Sequence, residues 1–181
     1  EHNPQAWALW KQVRTYAEFY SRANQPHLEA AANVAIVADD FDTSDEVMNL
    51  LARHNIPFKV LKPGDLESED LQGFEVVVAF AKPDRKAGAR LADLASHGKT
   101  VVIVEAHGPY PWQRGAAVRL NETAVSYSVG TGKVLELSEA VSDPETFAQD
   151  IRRLLGNQNA LVSLWNGLTT IAVPYPKHGS T

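Results

Sequence analysis

The stretch from Asn33 to Leu61, NVAIVADDFDTSDEVMNLLARHNIPFKVL, restricts the fold more than any other part of the chain. Val34 to Val37 is an unbroken apolar run, the pattern of a parallel strand covered on both faces. An acidic loop follows. Thr43 and Glu46 then have the spacing of a capping box, and Val47, Leu50 and Leu51 give the ensuing helix one apolar face. Phe58 to Leu61 reads as the next strand. This is a βαβ unit, the building block of a three-layer, doubly wound sheet, whose ligands sit beyond the carboxyl ends of the strands.

The same alternation continues downstream. Glu75 to Phe80 predicts a third strand, Asp84 to His97 a helix ended by Gly98, and Thr100 to Val104 a fourth strand. After the loop EAHGPYPWQRGAA come strand regions around Val118 to Val129 and Lys133 to Leu137. A last helix opens at Asp143-Pro144, carries Phe147, Ile151, Leu154 and Leu155 in register, and closes at Gly156. The whole is a mainly parallel α/β sheet with additions at both ends.

At the front, Pro4 to about Ala23 predicts an extra helix capped by Asn3. Its stripe of Trp7, Trp10, Val13, Ala17 and Tyr20 is expected to pack on a core or on a neighbouring domain. At the back, Leu161 to Trp165 and Thr169 to Tyr175 flank Asn166-Gly167, a β-hairpin signal. Three regions follow: 1–32, helix and linker; 33–157, the α/β domain; 158–181, the start of a β-rich region. Two strands alone are marginal, so the chain is expected to be a segment of a longer protein.

Composition narrows the chemistry. A net charge of −5 argues against nucleic acid and anionic membranes as partners. No stretch approaches the ~20 apolar residues of a membrane span. Zero cysteines exclude disulfides, thiolate metal sites and a cysteine nucleophile.

Two loops hold the candidate ligand or interface residues: Asp39 and Asp40 after the first strand, and Glu105, His107, Tyr110 and Trp112 after the fourth. Asp39-Asp40 resembles the Mg²⁺-holding acidic pair of response-regulator receiver domains. In those domains the phosphate acceptor stands four residues before a proline; counting back from Pro83 reaches Ala79. The plainer expectation is that these acids complement the positive end of the following helix. Glu105 and His107 could form an acid/base pair, and an exposed Trp112 could stack on a sugar ring. Alternatively the aromatics of this loop pack against a neighbour. No glycine-rich phosphate turn joins a strand to a helix, VGTGKV at 129–134 reads as a tight turn, and no Gly-x-Ser-x-Gly elbow exists. No catalytic, cofactor or metal-ligating residue is assigned.

The segments ANVAIVADD, NIPFKVLKPGDLESEDLQGFEVVVAF, GKTVVIVEAHG, VGTGKVLEL and DPETFAQDIRRLLG together resemble the class I glutamine amidotransferase-like fold, a flavodoxin-like variant. The version most similar is that of multidomain bacterial glycoside hydrolases, known in β-galactosidases as the trimerisation domain. The resemblance covers about Asn33 to Gly156. It implies a domain lying after a catalytic (β/α)8 barrel that holds both catalytic carboxylates. Catalytic members of the fold place a Cys at an elbow after the strand matched by TVVIV, with a His-x-Glu further on; the chain has no Cys, and no His-x-Glu occurs late in it. The resemblance therefore implies a non-catalytic structural, interdomain or oligomerisation domain without a cofactor. Its partners would be the neighbouring domains of the same chain, or further copies in a homo-oligomer. The alternative is a ligand-binding module, either a pseudo-receiver with an acidic Mg-type pocket or a carbohydrate-contacting domain.

Overall fold

The computed structural model describes residues 4–22, 30–163 and 170–175. The chain divides into two units, of which residues 30–174 form the α/β body and the N-terminal helix belongs to the other.

The body holds seven strands in one sheet: β1 (Val34–Val37), β2 (Phe58–Leu61), β3 (Val76–Ala79), β4 (Thr100–Ile103), β5 (Ala117–Arg119), β6 (Ala124–Val129) and β7 (Gly132–Leu137). Their order is β2-β1-β3-β4-β7-β6-β5. The first five in that order run parallel, with Val34 opposite Phe58 on one side and Val76 on the other. β6 and β5 extend the sheet antiparallel.

The unbroken apolar strands are explained by what covers them. Every residue of β1 and of β3 is fully buried. Alternation splits these residues between two apolar clusters. Ala35, Val37, Val77, Ala79, Val101 and Ile103 meet Leu91, Leu94 and Ala95 of helix α3 (Arg85–Ser96). Val34, Ile36, Val76, Val78 and Val102 meet Val47 and Leu51 of α2 (Asp45–Arg53), with Ile151 and Leu155 of α4 (Pro144–Leu155). Each such Val, Leu or Ile contributes about 1.5–3 kcal/mol through removal from water.

Local signals set the helix ends. Asp84 Oδ1 accepts from the Ala87 amide at 2.8 Å, and Asp143 Oδ1 from the Thr146 amide at 3.0 Å. Both are N-caps, Asp143 as expected and Asp84 at the residue where the helix was expected to begin. The capping box expected at α2 does not form. A turn returns the amides of Ser44 and Asp45 to the Phe41 carbonyl, so the helix begins at Asp45 and Ser44 is its cap. That registers Thr43 one residue too early. VGTGKV is indeed a tight turn: Val129 pairs with Gly132 across a two-residue β6–β7 connection.

Two expectations change at the ends of the chain. The N-terminal helix α1 (Pro4–Arg22) forms, and Trp7, Trp10, Val13 and Tyr16 are exposed, so of the two expected packings, on a core or on a neighbouring domain, the core one is not seen. The sheet's apolar clusters take their helical residues from α2, α3 and α4. Asn3, Ala23 and the side chain of Tyr20 lie outside the described residues. So does the Asn166-Gly167 turn, and the described flanks, 161–163 and 170–175, carry no strand. The second flank is instead held by Asn55, whose side-chain amide donates to the Thr170 carbonyl at 2.9 Å and accepts from the Ala172 amide at 2.8 Å.

Candidate functional site

The loop leaving β4 is where the candidate chemistry gathers. Glu105 turns the chain with a φ of 51°, a left-handed conformation uncommon for a residue with a side chain. The Ala106 amide then donates to the Leu137 carbonyl at 2.8 Å, tying the loop's start to the end of β7. Glu105 and His107 both point to solvent-exposed surface, and they make no hydrogen bond or ion pair with each other.

Tyr110 and Trp112 do the opposite. Pro111 starts a short 3-10 turn through Arg114, and Gln113 Oε1 accepts from the Tyr110 amide at 3.0 Å. The turn folds both rings inward, stacked with centroids 4.7 Å apart and planes 15° apart. Trp112 is only 3% exposed, so the expected exposed, sugar-stacking indole is corrected to a core residue. The reason is a polar anchor. Trp112 Nε1 donates to Glu136 Oε1 at 2.6 Å, while Gln113 Nε2 donates to both Glu136 oxygens at 2.8 and 2.9 Å. An indole buries readily once its N–H has a partner.

Glu136 is the residue that sequence reasoning overlooked. It sits in β7 two residues after the fully buried Val134, hence on the same face, and is itself 8% exposed. That parity within GKVLEL was the available signal, since a charge on an inward position requires partners. Its influence reaches two tyrosines. Burial pushes the Tyr110 hydroxyl up from its ordinary pKa of 10, and the Glu136 charge adds to the effect. The half-buried Tyr127 is shifted the same way, by burial first and then by Glu136.

A concave cavity of about 740 Å³ opens beyond the ends of β3 and β4. Its wall brings together His107 and Tyr110 from the candidates with Lys82, Asp84, Arg85 and Arg114, which the sequence reading had not selected. Glu105 and Trp112 are not among the lining residues.

Asp39 and Asp40 lie elsewhere, exposed after β1. Asp39 Oδ1 accepts from the Asp40 amide at 3.1 Å, and Asp40 Oδ1 from the Asp42 amide at 3.2 Å. These carboxylates build their own turn, as Asp commonly does. Among the described residues no group of three His, Asp or Glu side chains is placed to hold a metal ion.

No family model matches the chain, and neither does any curated protein. Solved structures do match it in fold. The beta-galactosidase from Bacillus circulans sp. alkalophilus superposes with a TM-score of 0.53 at 12% identity, over 74% of this chain and 32% of that one. The cold-adapted beta-galactosidase from Rahnella sp. R3 gives 0.55 at 14% identity, over 72% and 32%. A catalytic mutant of a GH42 beta-galactosidase from G. stearothermophilus gives 0.52 at 11%, over 71% and 30%. The likeness is one of fold, and this chain spans about a third of the length of those proteins.

Proposed function

We propose that this chain is a non-catalytic accessory domain of a glycoside hydrolase, of the three-layer, doubly wound, amidotransferase-like (flavodoxin-like) type, that packs against neighbouring domains or further copies of itself. The observation carrying this reading is the shared fold with part of several beta-galactosidase chains. The parallel order β2-β1-β3-β4-β7 agrees with the flavodoxin-like strand order.

The end of β4 supports the non-catalytic half of the proposal. Catalytic members of the fold type carry a cysteine on an elbow there. In this chain the left-handed position belongs to Glu105, whose carboxylate cannot form the thioester that glutamine hydrolysis requires. Glu105 and His107 lack the mutual hydrogen bond and orienting third group that make an acid/base pair effective. Glycoside hydrolysis takes two carboxyl groups held about 5–9.5 Å apart across a sugar. The buried carboxylate near this loop, Glu136, is already bonded to Trp112 and Gln113.

The test is to assay the 181-residue chain for glutaminase, esterase and glycosidase turnover. The expected result is no turnover in any of the three. Turnover that vanishes in Glu105→Gln or His107→Ala would overturn the proposal.

A further inference from the structure

We propose that the cavity between the start of α3 and the 107–114 loop binds a small molecule through an oxyanion, either a phosphoryl or a carboxylate group. This goes beyond the interdomain role and stands independently of it.

The first argument is charge. The chain carries a net charge of −5, yet three permanent cations, Lys82, Arg85 and Arg114, line this one concavity. None of the three makes a hydrogen bond or ion pair with a described residue. Elsewhere in the body Lys59, Lys86 and Lys99 are matched to Glu69, Glu67 and Glu75. The one carboxylate on the cavity wall, Asp84, has Oδ1 committed to the Ala87 amide.

The second argument is placement. Arg85 opens α3, and no acidic residue lies in that helix's first turn. A cation at the positive end of a helix is in the unfavourable position. The Asp84 carboxylate already caps that helix end, so a bound anion would offset the clustered cations.

The third argument is independent of both. Tyr110, also on the wall and nine-tenths buried, leaves its hydroxyl without a hydrogen-bond partner among the described residues. A buried donor left unpaired is costly, but this oxygen is closed to solvent, so it pairs with a ligand's acceptor only when the loop yields. With its pKa raised, this hydroxyl stays a donor at neutral pH. The volume, about 740 Å³, suits a molecule the size of a monosaccharide derivative rather than a bare ion. The location beyond the strand carboxyl ends is the ordinary one for ligands in such sheets.

The experiment is calorimetric titration of the 181-residue chain at low ionic strength with inorganic phosphate, glucose 6-phosphate and glucuronate in separate runs. The same runs are made on the Arg85→Gln/Arg114→Gln double variant, whose changes lie on the surface, and on Lys133→Gln, at the start of β7 and so at the opposite end of the sheet, as a control. Saturable binding of at least one probe is expected, weakened about tenfold or more in the double variant and unchanged in the control. Binding of the phosphate compounds alone identifies a phosphoryl site, and binding of glucuronate alone a carboxylate site. No saturable binding of any probe would overturn the proposal, and so would a double variant that titrates like the parent.

Discussion

Trp112 and Glu136, 24 residues apart in sequence, are joined by a 2.6 Å hydrogen bond from the indole N–H to the carboxylate inside the fold. This bond fastens the long loop after β4 to β7. Removing the carboxylate strands the indole N–H, and removing the indole strips Glu136 of one bond to a charged group, each at about 1–3 kcal/mol. Trp112→Phe and Glu136→Leu are each expected to lower the urea-unfolding free energy by that order. In a double-mutant cycle the pair should show coupling above ~0.5 kcal/mol, the usual limit for independent sites. Additive losses would mean that the bond does not hold the loop.

The two raised tyrosines predict an alkaline limb. A hydroxyl whose folded pKa lies above its unfolded value near 10 holds its proton more tightly in the native state. Its contribution is complete below pH 10 and is lost as pH rises through the folded value. Unfolding free energies measured from pH 9 to 11.5 should therefore fall, and the fall should be shallower in Tyr110→Phe and Tyr127→Phe. An unchanged slope in both variants would contradict the assignment.

Asp143 and Glu145 predict the acid limb with the opposite sign. The Thr146 hydroxyl and amide hold Asp143 below its ordinary value. Gln149, then His54, does the same for Glu145. Depressed carboxylates stabilise above their unfolded pKa near 4, and the effect disappears as pH falls through the lower folded value. Asp143→Ala should flatten the stability profile between pH 5 and 2, as read by thermal melts. Because both groups are exposed, salt should diminish the Glu145–His54 share.

Two glycines should respond oppositely to alanine. A Cβ at Gly132 would lie 2.3 Å from the carbonyl oxygens of Ala95 and Lys99, so Gly132→Ala should destabilise by about 1–3 kcal/mol or more. A Cβ at Gly88, inside α3, meets Tyr110 Cδ1 at 3.7 Å, an ordinary contact. Gly88→Ala should be stabilising by about 0.5–1 kcal/mol through helix propensity. Denaturant midpoints of the two variants bracketing the parent is the expected result.

Asn55 holds the returning segment with its side chain while its own backbone is left-handed, at a φ of 54°. Asn55→Gly keeps that backbone at no strain and deletes only the amide. Hydrogen exchange at the Ala172 amide should accelerate strongly while exchange in β1 and β3 is unaffected. Equal protection in both proteins would show that other contacts hold residues 170–174.

Much of the fold was readable without coordinates because its determinants are local. An apolar run bounded by turns makes a strand, and Asp84 and Asp143 end their helices with atoms three residues away. Where the local rule was ambiguous, as between Thr43 and Ser44, a backbone turn through Phe41 decided the register. The site was far less legible. Asp39 and Asp40 drew attention as an acidic pair, yet their carboxylates serve their own turn. Glu136 drew none: its parity with Val134 marks an inward position, but the strand does not show which partner the carboxylate meets there.

By itself, then, the order of residues determined the parallel α/β body and its helix limits, which depend on contacts within a few positions along the chain. Tertiary structure alone decided that Trp112 is interior while Lys82, Arg85 and Arg114 share one cavity. Burial depends on what arrives from the other side. For Trp112 that is the space left by Gly88 on α3 and the carboxylate of Glu136 on β7, and no pattern within the loop encodes either.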